Sequence, residues 1–396
     1  MVRGGLGRGG GQAVVVVRMR GETVGWGTRR DVKERMREET DVLICGGGPA
    51  GAAAAIVAAR KGLRVVVMER AEFPRHKVCG DCLNPDCWDV LEVLGVVDGV
   101  RRLRQGVLRA VRMVSPGGRE VVVGLPEGAE VAVRREDLDE LLLRAAAAAG
   151  AKVYCGEAMT RLEKVEGGWE AGTAERAWRS RVFIAADGRN STSCRLLRLS
   201  PAPRRDRVAV QCHAPLAVGH EERVSLEIFG DGYAGIAPVG DGEMNVCAVA
   251  AAGDVEGLRR RLMERLGIPE GVEWHRMAPL ERADLAASPR AGLFLTGDVA
   301  RVVEPFTGEG IYYALKSGML AGQAAVMELS GNPAGGWYAG EHAGMYRRRF
   351  WVNRLARVAV TRPWVGSLVI RAGAAFPGLL RWVTSKVVRP LSATGG

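Results

Sequence analysis

At 396 residues the chain has room for one large α/β domain or two coupled ones. With 47% hydrophobic and 26% charged residues it has the composition of a folded globular protein, not of a disordered one. The formal charge of +11 does not by itself point to nucleic acid. Residues 1–35 carry eight Arg/Lys and three Asp/Glu, or +5, which leaves +6 for all the rest, and no basic helix interleaved with stacking aromatics accompanies it.

Residues 1–35 open with a Gly/Arg run and hold no alternation long enough to secure a strand or helix. They are expected to be a flexible leader or an over-extended start. The apolar run of residues 13–17 is too short for a secretory signal, so the eight cysteines are expected to stay reduced, as in a cytoplasmic protein. From residue 41 the pattern becomes strand (41–45), glycine turn (46–51), alanine-rich helix (52–61) and strand (63–68), one βαβ opening. A helix over 136–149 and a strand over 152–155 follow, then hairpin material over 161–176 and a buried strand over 182–186. Alternating segments between 207 and 249 predict an antiparallel sheet. Residues 293–296 read as a buried strand, 310–329 as a helix, and the tail from 345 as helical, rich in Arg and aromatics.

Three segments carry chemistry. Gly46-Gly47-Gly48-Pro49-Ala50-Gly51 lies between a strand and a helix. Gly46 permits the tight turn, Gly48 lets a pyrophosphate approach the backbone, and Gly51 lets helix and strand pack closely. The helix start offers free N–H groups and partial positive charge to phosphates. Glu69 closes the second strand, where a carboxylate can accept from a ribose hydroxyl. Further on, Ala186-Asp187-Gly188 and Gly297-Asp298 each follow a buried strand, and Pro305-Phe306-Thr307-Gly308-Glu309-Gly310-Ile311 leads into a helix. Strand-end carboxylates suit ribityl hydroxyls, and the Gly308–Gly310 turn can cap an anion or a flavin edge. The order of these segments points to FAD, where the first alone would leave NAD open.

From residue 36 to about 330 the sequence resembles the geranylgeranyl-reductase-like branch of the aromatic-hydroxylase-type flavoproteins. The resemblance rests on these segments together with Lys77-Val78-Cys79-Gly80-Asp81-Cys82-Leu83 and Arg135-Glu136-Asp137-Leu138-Asp139. It implies an α/β fold in which a Rossmann-like FAD domain (36–195 and 288–330) carries an inserted antiparallel substrate domain (200–287, joined by part of 103–133), with C-terminal helices over 331–396. Gly46, Gly48, Pro49, Ala50, Gly51, Glu69 and Arg70 would lie at the ADP half of FAD. Lys77, Gly80, Arg135, Asp187, Gly297 and Asp298 would follow along the cofactor, with Pro305, Gly308, Glu309, Gly310 and Ile311 beside its ring. Cys79 would face the flavin, and NAD(P)H would dock transiently as electron donor.

Prenyl reductases of this branch carry a Y-x-W-x-F-P segment on the substrate sheet. Here it reads Tyr233-Ala234-Gly235-Ile236-Ala237-Pro238, with Gly and Ala in place of two aromatics. The exchange opens volume beside the flavin and favours an O2-dependent monooxygenase acting on an apolar or aromatic small molecule. The other reading is reduction of isoprenoid C=C bonds. Cys79 and Tyr233 are the candidate catalytic residues, with His76, His213 and Glu304 as further polar candidates. Cys79 and Cys82 form a C-x-x-C, but no second such pair or H-x-x-x-H exists and the five histidines are far apart in sequence, so no metal is expected. Apolar residues with Arg357, Arg371, Arg381 and Arg389 among them suit either a membrane-surface helix or a cap over the substrate domain. Nucleic acid is not expected as a partner.

Overall fold

The computed structural model describes residues 37–375 apart from 127, 129, 200–206, 281 and 348–349. The 1–35 leader lies outside the described residues, except that Arg18–Met19 pairs with Glu22–Thr23.

The buried runs form a five-stranded parallel sheet in the order Lys152–Tyr154, Val65–Met68, Val42–Cys45, Val182–Ala185 and Leu293–Leu295. Val42–Cys45, Val65–Met68 and Val182–Ala185 are buried at every position, because both faces of the sheet are covered. On one face lie the helices Pro49–Arg60, Arg135–Ala148 and Gly310–Leu329. On the other, Trp169 and Trp178 fill the space beneath a four-stranded sheet of Arg161–Val165, Gly168–Gly172, Ala177–Ser180 and Arg37–Glu39.

The first helix begins at Pro49 and not at residue 52 as its alanines indicate. Proline needs no N–H partner in the first helical turn, so the helix starts inside the glycine motif. Gly318 and Gly322 of the long helix sit against the backbone of Ala50 and Ala54, where a Cβ would overlap a carbonyl oxygen. That close approach holds the first helix start over the sheet.

The insertion is a seven-stranded sheet in the order His275–Met277, Val208–Pro215, Glu243–Ala250, Gly232–Gly240, Arg223–Ile228, Ala110–Val114 and Glu120–Gly124. It is antiparallel except where Arg223–Ile228 meets Ala110–Val114. Residues 110–124 reach this sheet from the first half of the chain, ahead of the strands between 208 and 250. A three-stranded sheet (Cys82–Leu83, Glu130–Ala132, Gly106–Leu108) joins the two halves. The helices Phe350–Thr361 and Pro363–Ala375 cover the seven-stranded sheet, burying Val360 and Ile370 with Ile228, Tyr233 and Val249. Trp382, Arg381 and Arg389 lie outside the described residues.

Candidate FAD site and substrate cleft

A single cleft of about 560 Å³ runs from the glycine turn to the C-terminal helix pair. At its first end Gly46 adopts φ +104°, a conformation open to glycine. A Cβ on Gly51 would overlap the Gly46 carbonyl oxygen, so both glycines are demanded by packing. Gly48 by contrast faces open space, with only the end of the Arg75 side chain near it. No side chain caps the helix at Pro49 and its first turn holds no acid, so its N–H groups are free for an anion. The helix at Gly310 also opens on the cleft without a side-chain cap.

Five Arg and Lys residues serve this region: Arg70, Arg75, Lys77, Arg135 and Arg189 line the cleft. Arg135 donates to both oxygens of the fully buried Asp139 at 2.9 and 2.8 Å, and Arg75 meets the same carboxylate at 3.1 Å. Arg189 is buried, with Nε and Nη1 lacking any partner, and touches Asp298 only at 3.5 Å. Burial pushes the Lys77 amine below its ordinary range. The uncapped helix start at Pro49, the glycine cradle and the under-satisfied Arg189 guanidinium together suit a diphosphate, and the Gly310 start suits the flavin edge. The residues present therefore fit FAD.

Most of the expected cofactor residues line this cleft: Gly46, Gly48, Pro49, Ala50, Glu69, Arg70, Lys77, Cys79, Gly80, Arg135, Asp187, Gly297, Asp298, Pro305, Gly308, Gly310 and Ile311. Two do not. Gly51 lies beneath Gly46. Glu309 is fully buried, and its carboxylate faces the Tyr313 hydroxyl at 3.5 Å instead of the cleft. The carboxylates also divide their work differently from the sequence expectation. Glu69 accepts from the Gly47 and Ala71 N–H groups at 2.8 and 2.9 Å, bracing the turn. Asp187 accepts from Ser191 Oγ and from Ser193 N and Oγ, tying down the next helix. Asp298 alone of the three is left with little but its long contact to Arg189.

Cys79, Cys82 and Cys247 are free thiols on the cleft wall. Burial pushes the Cys79 thiol up, against the opposing pull of Arg135, so it stands as a neutral thiol at neutral pH. Tyr233 also faces the cleft and donates to Glu304 at 2.7 Å, while Arg207 grips the same carboxylate at 3.1 and 2.9 Å. Burial and then the Glu304 charge push the Tyr233 phenol well up.

The histidines are a correction. Far apart in sequence, His76, His213 and His275 converge beside the cleft, which His76 lines: His76 stacks on His275 at 3.6 Å and bonds Gln211 at 2.7 Å. His213 bonds Asp81 at 2.7 Å, and Asn245 ties Asp81 to the Cys79 carbonyl. Sheet pairing brings them together, which separation in sequence cannot reveal. Among the described residues no group of three or more His, Cys, Asp or Glu is placed to hold a metal. Asp81, at φ +59°, sits within the Lys77–Leu83 run but gave no chemical signal of its own.

Fold and site together define an FAD-dependent oxidoreductase. The chain belongs to the FAD binding domain family, whose model matches residues 39–249. It is 30% identical to the menaquinone reductase of Mycolicibacterium smegmatis over 83% of this chain and 86% of that protein. It is also 30% identical to the geranylgeranyl diphosphate reductase of Rhodobacter capsulatus, over 74% and 77% of the two chains. Among solved structures, a geranylgeranyl bacteriochlorophyll reductase-like protein from Thermoplasma acidophilum superposes with a TM-score of 0.72 at 22% identity, covering 90% of this chain and 94% of that one.

Proposed function

We propose that this flavoprotein reduces carbon–carbon double bonds in an isoprenoid-bearing lipid, with NAD(P)H as electron donor. The shape of the cleft carries this reading. Beyond Cys79 it continues between the substrate sheet and the C-terminal helices along Met113, Ile228, Val249, Val369 and Ile370, an apolar chamber suited to a hydrocarbon chain. The relatives named as reductases of menaquinone and geranylgeranyl diphosphate support it. FAD, when bound, supplies the two-electron chemistry that side chains lack. The chain's own residues would hold its phosphates at the helix start of Pro49 and meet the flavin edge at that of Gly310, orient the substrate along the sheet and exclude water.

Two surfaces support the roles of donor and membrane. A second pocket, of about 270 Å³, lies beside Glu304 and Pro305 and is walled by Arg207, Arg282, Arg301 and Arg357. It suits the phosphates of a transiently docked nicotinamide. Trp364 and Leu368 stand exposed on the outer side of the helix pair, so a cytoplasmic enzyme could rest there on a membrane surface. No helix among the described residues is long and apolar enough to cross a membrane.

The monooxygenase reading is favoured by one observation: Gly235 and Ala237 both line the cleft where the related prenyl reductases carry aromatics. Anaerobic mixing of the reduced holoenzyme with polyprenyl lipids separates the two. Flavin reoxidation without oxygen, with saturated product by mass spectrometry, is the expected result. Oxygen consumption coupled to a hydroxylated product would replace this reading with the second.

A further inference from the structure

Glu130 differs from every other acid on the cleft wall. It opens the strand Glu130–Ala132 at the centre of the three-stranded sheet, opposite Leu108. Alternation along a strand puts Glu130 and Ala132 on one face and Val131 on the other. Ala132 packs among Leu108, Val224, Ala237 and Val239, with Cys82, Val111 and Leu226 against them. Glu130 is 8% exposed and shares the cleft wall with Val111, Val224, Leu226 and Ala237. No hydrogen bond or ion pair is made to its carboxyl among the described residues.

The surroundings disfavour its ionisation. The strand Cys82–Leu83 contributes the Cys82 thiol, itself pushed well up by burial. The strands of the large sheet contribute Val111, Val224, Leu226 and Ala237. No cation faces it, and burial alone pushes its pKa up to about 7. A carboxyl without a partner in an apolar wall costs stability, and packing does not require one there. Kept neutral, it is a hydrogen-bond donor aimed into the substrate chamber.

Resting on the reductase reading, we infer that Glu130 recognises the polar end of the substrate, its protonated carboxyl donating to a neutral carbonyl or hydroxyl oxygen. The substrate class is then a quinone-like lipid and not a prenyl diphosphate. A diphosphate beside Glu130 would find no cation to offset its charge in this apolar wall, whereas the cations that line the cleft include Lys77 and Arg189 of the cofactor segments. The small side chains at Gly235 and Ala237 fit the same picture, since they leave room on this wall for a ring.

The test is equilibrium binding to the oxidised holoenzyme, read as the perturbation of flavin absorbance at pH 6 and pH 8. The probes are a quinone with a fully saturated isoprenoid tail and geranylgeranyl diphosphate. A saturated tail offers no side-chain double bond, so binding is read apart from turnover. A protein that binds this quinone yet fails to saturate unsaturated lipids sinks the reductase reading alone.

The quinone Kd is expected to weaken about tenfold from pH 6 to pH 8, as the protonated fraction of a group titrating near 7 falls. Glu130→Gln keeps a donor and cannot ionise, so its Kd should stay near the wild-type pH 6 value throughout. Glu130→Leu should bind about tenfold more weakly at both pH values. Infrared difference spectra of the wild type between pH 6 and pH 8 should show a carboxylic C=O band that Glu130→Gln lacks, a readout that needs no substrate. A flat wild-type Kd, a wild-type slope retained in Glu130→Gln, or absence of that band overturns the inference. So does tighter binding of the diphosphate, or binding of neither probe.

Discussion

Asp139 and Glu130 show how differently two buried acids can be kept. Asp139 is fully buried but held by the guanidinium groups of Arg135 and Arg75, so it is a paired charge. Asp139→Ala leaves both cations without that partner beside the cleft and should cost about 3–5 kcal/mol, read from the urea midpoint. Added FAD should recover part of the loss, because its phosphates offer those cations a new partner. Glu130 has no partner, and the sign of its pH effect follows. Its folded-state pKa is raised, so the folded state pays an ionisation penalty that is absent below the unfolded value of about 4.5. The penalty grows as pH rises to about 7 and then levels off. Glu130→Gln should therefore gain on the wild type across that window, reaching on the order of 3 kcal/mol. A stability difference that does not vary between pH 4.5 and 8 would contradict the burial argument.

At the scale of elements, the cofactor half was legible because each element carries a local signature. The helix Gly310–Leu329 and the parallel strands fall within a residue or two of their expected positions, since buried strands read as unbroken apolar runs and glycine punctuates them. What local pattern could not show is the seam between Gly318, Gly322 and the first helix, because it depends on which helix lies opposite. Gly318→Leu should push the long helix away from Ala50 and displace the uncapped helix start at Pro49. FAD affinity should then fall at least about tenfold with secondary structure retained, measured by flavin retention and far-ultraviolet circular dichroism. Similarly, the mixed pairing of Ala110–Val114 with Arg223–Ile228 joins strands more than a hundred residues apart. Alternation between 207 and 249 predicted the region of Arg223–Ile228 but gave neither the strand Ala110–Val114 nor its pairing.

At the scale of the molecule, the C-terminal helix pair does two things at once. Its inner side closes the apolar chamber through Ala359, Gly366 and Ile370, and its outer side exposes Trp364 and Leu368. A cap over the substrate sheet and a membrane-facing surface are thus compatible on opposite sides of one element. Replacing Trp364 and Leu368 by Asp should abolish cosedimentation with anionic vesicles while leaving bound flavin unchanged. Equal vesicle binding by the double variant would remove the membrane role and leave the cap intact.

By itself the sequence determined the cofactor: the glycine turn, the strand ends at Asp187-Gly188 and Gly297-Asp298 and the turn before the long helix are short-range patterns, and each follows from backbone geometry within a few residues. It also determined that a sheet lies between the second and third of these segments. Only the tertiary structure decided which side chains face one another across the cleft. Separation along the chain says nothing about distance once strands pair, so His76, His213 and His275 came together unannounced and Glu309 turned away from the cleft. For the same reason Glu130, an ordinary acid on a short strand in the sequence, becomes in the fold a neutral donor in an apolar wall.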